Sequence, residues 1–144
     1  ASPVVSEGYV FIGAMDRNFY ALDIRSGWAA WRYRAGGVIA STAVVHDDLV
    51  FFGTADNYIY ALDVQSGRVV WRHETGDQVT GSPSVYKGNV YIGGVDGALY
   101  CLEAKSGDLH WQYRTDGPIT GAPEIVDDVV YFGSSDHYVY ALPA

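Results

Sequence analysis

A single cysteine among 144 residues rules out any internal disulfide, so nothing covalent braces the fold. Basic residues are also few. Nine Lys and Arg stand against seventeen Asp and Glu, a net charge of −8, and they are scattered. Nucleic-acid binding rests on clustered cations that release counterions from phosphate, so this charge balance excludes it. Charged residues make up only 18% of the chain against a usual share of about 25%. No apolar run approaches the roughly 18 residues that a membrane helix needs. Ala1 opens straight into patterned sequence, so a secretory leader, if one was made, is expected to have been removed. What the chain has in excess is apolar and aromatic surface: 49% hydrophobic and 15% aromatic, with twelve Tyr and four Trp. A chain of this length can bury a core without staples, and this composition describes buried strands.

The pattern behind that composition is a repeat of 40 residues without insertion or deletion. Val10, Val50, Val90 and Val130 coincide, as do Gly13, Gly53, Gly93 and Gly133; so do Asp16, Asp56, Asp96 and Asp136, and Tyr20, Tyr60, Tyr100 and Tyr140. A period near 40 suits one four-stranded propeller blade. Each copy holds four short runs rich in Val, Ile, Tyr, Phe and Trp between Gly, Asp, Asn and Ser clusters, the mark of strands joined by tight turns. In the first copy these runs are residues 2–5, 9–13, 18–23 and 29–34. The second and third are apolar on both faces, as a sheet buried between neighbours requires. The fourth alternates Arg32, Arg34, Arg72, Glu74, Gln112 and Arg114 with aromatics, as suits a protected outer edge. The first strand should therefore line an axis and the fourth the rim. The predicted fold is all-β: a β-propeller of four-stranded antiparallel blades, with blades at 1–40, 41–80, 81–120 and an incomplete 121–144. Three full blades and three strands of a fourth make half of an eight-bladed ring.

Three copies share a further signature. Ala21-Leu22-Asp23, Ser26-Gly27 and Trp31 recur as Ala61-Leu62-Asp63, Ser66-Gly67 and Trp71, then as Cys101-Leu102-Glu103, Ser106-Gly107 and Trp111. The acid can cap backbone N–H groups of the turn, the glycine can take positive φ, and the indole can lie against the next blade and find an acceptor there. The combination resembles the tryptophan-docking motif of PQQ-like, quinoprotein-type repeats. Asp23, Gly27, Trp31, Asp63, Gly67, Trp71, Glu103, Gly107 and Trp111 are thereby assigned to blade docking. The resemblance implies three functions on one fold: quinoprotein alcohol dehydrogenases, non-enzymatic outer-membrane assembly lipoproteins, and sensor segments of bacterial kinases.

Among these the assembly-lipoprotein branch is favoured. The resembling dehydrogenases use a pair of adjacent cysteines, a Ca²⁺ held by Glu, Asn and Asp, and a catalytic Asp; one cysteine cannot supply the first. Cys101 replaces alanines of the other copies and reads as a small buried side chain. The Asp16, Asp56, Asp96 and Asp136 series falls in the turn between second and third strands, one per blade, where Asp caps backbone. Asp47-Asp48 and Asp127-Asp128 read as solvated hairpin tips. His46, His73, His110 and His137 occupy four unrelated places in the repeat, with no zinc-like spacing. Trp28 is either an exposed contact or a ring lying over its neighbours. Gly53 should take positive φ or meet a neighbour closely, whereas replacing Asn57 nearby should be mild.

The expected function is a non-catalytic scaffold for protein–protein interaction or assembly, with no catalytic, cofactor-binding or metal residues and no cofactor. The alternatives are a fragment of a PQQ-dependent dehydrogenase and the sensor domain of a bacterial kinase. Partners are expected to be a second copy completing the ring as a homodimer, or remaining blades of a longer chain, with no nucleic acid and no membrane span. Family resemblance places it in the periplasm or outside the cell.

Overall fold

A computed structural model describes residues 1–144 as fifteen strands in four separate antiparallel sheets. Sheet one holds β1 (Val4–Ser6), β2 (Tyr9–Gly13), β3 (Asn18–Asp23) and β4 (Ala29–Arg34). Sheet two holds β5 (Val44–His46), β6 (Leu49–Gly53), β7 (Tyr58–Asp63) and β8 (Val69–Glu74). Sheet three holds β9 (Ser84–Tyr86), β10 (Asn89–Gly93), β11 (Ala98–Glu103) and β12 (Leu109–Arg114). Sheet four holds only β13 (Glu124–Val126), β14 (Val129–Gly133) and β15 (Val139–Pro143). In each, neighbours in sequence are neighbours in space. The molecule is three propeller blades and part of a fourth, and no helix is long and apolar enough to cross a membrane.

The turns follow from residue chemistry. First and second strands join through two residues that both have positive φ: Glu7 and Gly8, Asp47 and Asp48, Lys87 and Gly88, Asp127 and Asp128. That backbone matches the right-handed twist of a hairpin and favours Gly, Asn or Asp. Fourth strands carry a register shift opposite Ala21/Leu22, Ala61/Leu62 and Cys101/Leu102, an irregularity that recurs in every complete blade. Contacts between strands of successive sheets run through first strands, β1 with β5, β5 with β9 and β9 with β13, so these line the inside and the fourth strands the rim.

The expected first strand, residues 2–5, is displaced to Val4–Ser6. Pro3 has no N–H to give a ladder. The Ser2 N–H instead goes sideways to Thr42 Oγ1 at 3.1 Å, and Thr42 N–H repeats this to Ser82 Oγ at 2.9 Å, bonding one blade to the next.

Burial lies between blades. Phe11, Phe19 and Ala21 of sheet one pack on Val50, Phe52, Tyr60 and Leu62 of sheet two. Phe51, Ile59 and Ala61 on the other face of sheet two pack on Val90, Ile92, Tyr100 and Leu102. Tyr91, Leu99 and Cys101 then meet Val130 and Phe132. Cys101 is buried, whereas Trp28 is 78% exposed.

Candidate functional site

The turn between third and fourth strands builds each interface. Asp23 Oδ1 accepts N–H groups from Arg25 at 2.9 Å and Ser26 at 3.0 Å, while the Gly27 N–H returns to the Asp23 carbonyl at 2.8 Å. These donors, Ser26 first, hold the Asp23 carboxyl below its usual range. Asp63 repeats the arrangement with Gln65 and Ser66. Glu103 does not: the third turn keeps the backbone bond from Gly107 N–H and the Ser106 hydroxyl accepting from Asp108 N–H, and the longer Glu103 side chain lines a groove of about 290 Å³ with His46, Asp47, Lys87 and Lys105.

The indoles cross from blade to blade. Trp31 Nε1 donates to the Val64 carbonyl at 2.8 Å and Trp71 Nε1 to the Ala104 carbonyl at 2.8 Å. Their rings lie over the glycines of the receiving turns: a Cβ added at Gly67 or Gly107 would come within 2.5 Å of ring atoms of Trp31 or Trp71. Ala144 holds the place of Val64 and Ala104 in the repeat, but Trp111 makes no matching indole hydrogen bond. An open groove of about 420 Å³ lies there, between Trp111, Gln112 and Tyr113 and Leu142, Pro143 and Ala144.

The Asp16 series does more than its turn chemistry shows. Asp16, Asp96 and Asp136 each cap the N–H two residues on, at 2.9–3.0 Å. Each also accepts the hydroxyl of the tyrosine four residues on: Tyr20, Tyr100 and Tyr140. Asp56 takes the Thr54 hydroxyl instead. The second carboxylate oxygen then reaches the preceding blade, where Asp96 accepts Gly76 N–H and Asp136 accepts Asp116 N–H, both at 3.3 Å. Bonding to Asp136 pushes the Tyr140 hydroxyl up to about 12; burial, with Asp56 nearby, does the same for Tyr60. Only the Asp-x₃-Tyr spacing pointed to these pairs, and the cross-blade bonds left no mark in one repeat taken alone. No three His, Cys, Asp or Glu side chains converge on one point.

Glycines at the ends of second strands meet the loop that follows their own blade. A Cβ on Gly53 would meet the Val79 side chain and approach its carbonyl at 2.6 Å, so close approach and not positive φ explains that position. Asn57 corrects an expectation, because its φ of 76° is left-handed and its carbonyl accepts both N–H and hydroxyl of Thr75. One member of this series, Gly133 on the fourth blade, and one of the turn glycines, Gly27 on the first, have no atom within 4 Å of an added Cβ. Beside them Ile24 is exposed on the first blade, and Tyr131, Tyr138 and Val139 on the fourth.

A family model described as outer membrane protein assembly factor BamB matches residues 1–94 and again 55–144. The chain belongs to this family. Among solved structures it is similar to BamB from Moraxella catarrhalis, with 28% identity and a TM-score of 0.86 over 94% of this chain and 43% of that one. It thus spans less than half the length of that BamB. The computationally designed Ika4 protein shares the fold at 20% identity and a TM-score of 0.87, over 98% of this chain and 88% of that one. Quinohemoprotein alcohol dehydrogenase from Comamonas testosteroni shares it at 20% identity and 0.85, over 99% of this chain and 32% of that one. No curated protein matches.

Proposed function

We propose that this chain is a non-catalytic propeller module serving protein–protein assembly on the outer-membrane side of the periplasm. The BamB family match along the whole chain carries this reading. The fate of the carboxylates supports it: Asp16, Asp96 and Asp136 are each engaged by a backbone N–H and a tyrosine hydroxyl, a use that stabilises blades and leaves no free base. The nine residues Asp23, Gly27, Trp31, Asp63, Gly67, Trp71, Glu103, Gly107 and Trp111 are then structural: Trp31 on Gly67 and Trp71 on Gly107 join blades, Asp23 and Asp63 shape the turns, Glu103 contributes backbone only, and Gly27 and Trp111 hold the same places in the repeat. Likeness to the dehydrogenase is likeness of fold, and fold does not choose function. Adding PQQ with Ca²⁺ tests the reading. It predicts no bound chromophore and no dye-linked alcohol oxidation; saturable binding with turnover would overturn it.

The same reading extends to self-assembly. Two copies related by a two-fold axis would set the first blade of each against the fourth of the other, covering both open faces and completing an eight-bladed ring. Light scattering at micromolar concentration should give twice the 15.7 kDa of one chain; a species at 15.7 kDa would reject the dimer.

A further inference from the structure

The turn after β11 departs from its two counterparts at one side chain. In blades one and two the aspartate presents Oδ1 to two backbone N–H groups, those of Arg25 and Ser26 at 2.9 and 3.0 Å and those of Gln65 and Ser66 at the same distances. In blade three Glu103 is one carbon longer, and no acceptor meets the N–H groups of Lys105 and Ser106. This turn keeps a pair of carboxylate-binding donors and lacks its carboxylate. Glu103 lines the groove of about 290 Å³ between blades two and three, where buried Leu49 and Ala104 supply apolar surface. Between blades one and two Tyr9 stands where this groove has Leu49 and packs against the core, and no groove opens there.

The charges along this groove divide into paired and unpaired. Two carboxylates, Asp47 and Glu103, and two ammonium groups, Lys87 and Lys105, leave it neutral as a whole. Lys87 Nζ is already held by Asp128 at 2.8 Å, and Asp47 lies against His46 Nε2 at 3.3 Å. Glu103 and Lys105 enter no ion pair, so one charge of each sign is left without a partner. We propose that this groove binds a free α-amino acid with an apolar side chain. Its carboxylate lies on the Lys105 and Ser106 N–H groups beside the Lys105 ammonium, its own ammonium on Glu103, and its side chain against Leu49 and Ala104. Blades one and two already show the first of these contacts, with an aspartate as the carboxylate. Hydrogen bonds to an ionised acceptor are about twice as strong as neutral ones, so an empty pair of such donors favours an anionic group. The groove stands at the lower end of small-molecule sites, roughly 300–1,000 Å³, which suits one amino acid better than a longer chain. The site rests on this turn and this blade junction, independently of the assembly role.

The probe is L-leucine, titrated into the ¹⁵N-labelled full chain and followed by amide chemical shifts. Saturable shifts are expected at Lys105 and Ser106. N-acetyl-L-leucine, which lacks the ammonium, and L-leucinamide, which lacks the carboxylate, should each bind about tenfold more weakly or worse, as expected for loss of a hydrogen bond to a charged group. Glu103→Gln and Lys105→Gln should weaken L-leucine similarly, whereas Arg25→Gln, at the counterpart turn of blade one, should leave it unchanged. Glu103→Asp is the sharper variant. It keeps the charge but restores the cap of blades one and two, so it should abolish binding while the melting temperature stays level or rises. Absence of saturable shifts, equal binding of either blocked derivative, or full binding by Glu103→Asp would each overturn the assignment. Tighter binding of the tripeptide Leu-Leu-Leu than of L-leucine would overturn it too, in favour of a partner's peptide segment.

Discussion

Trp31 reaches across to the next blade and donates its indole N–H to the Val64 carbonyl at 2.8 Å, with its ring lying over Gly67. Forty residues on, Trp71 does the same to Ala104 and lies over Gly107. Neighbouring blades thus share an indole hydrogen bond and an aromatic face in addition to the backbone and carboxylate bonds between them, which is how repeat proteins convert modest units into a stable stack.

Trp71 is buried in a central interface and Trp28 is exposed. Trp71→Ala should therefore cost about 3–5 kcal/mol, the range for emptying a buried aromatic site. Trp28→Ala should stay within about 0.5 kcal/mol, as for surface changes generally. Urea denaturation of both variants makes the comparison, and equal losses would show that the indole is not a docking element.

Gly27 and Gly67 have nearly the same backbone, with φ of 77° and 75°, but only Gly67 has an indole above it. Gly27→Ala should show left-handed strain alone, about 1–2 kcal/mol. Gly67→Ala adds a clash with Trp31, about 1–3 kcal/mol more. Melting curves that coincide would mean that the ring moves aside freely. Gly53→Val should be disruptive through Val79, and Asn57→Val costly through its left-handed backbone.

Asp48 has a φ of 64° at a hairpin position where the first and third copies have Gly8 and Gly88. Asp48→Gly should relieve strain and like-charge crowding with Asp47, and raise stability by about 0.5–1 kcal/mol. Asp128→Gly should gain less, because Asp128 accepts bonds from Tyr86 and from Lys87, the latter at 2.8 Å. Differential scanning calorimetry ranks the two, and a larger gain at Asp128 would contradict this account.

Asp23 is held below its ordinary value of 3.8 by Ser26 and Arg25 N–H groups. A depressed carboxylate contributes stability that is fully present above the unfolded value and is lost as pH falls through the folded one. Wild-type stability should therefore drop as pH falls below about 4. Asp23→Asn, which cannot titrate, should have a shallower acid limb in urea midpoints taken from neutral pH downward. Parallel limbs would show that the turn does not depend on the charge.

The strands and turns were legible because each answers to local chemistry. Second, third and fourth strands of the first copy lie at the predicted residues, and two-faced apolar runs such as Phe51-Phe52 are buried on both sides as their composition demands. The first strand was misplaced because the Ser2 N–H chose a partner 40 residues away. The Asp16 series illustrates the same limit: its turn cap is a contact within three residues, but its bond to the previous blade depends on how two blades pack.

Repetition in the sequence determined the blade, its strand count and its all-β character, because a 40-residue period fixes pairing between neighbours a few residues apart. The tertiary structure decided which faces are filled. Gly27 and Gly133 are indistinguishable in sequence from Gly67 and Gly93, yet only the latter two have another segment pressed against them. A residue's place in the repeat sets the shape of its surface, and the presence of a neighbouring blade or loop decides whether that surface is core or exposed.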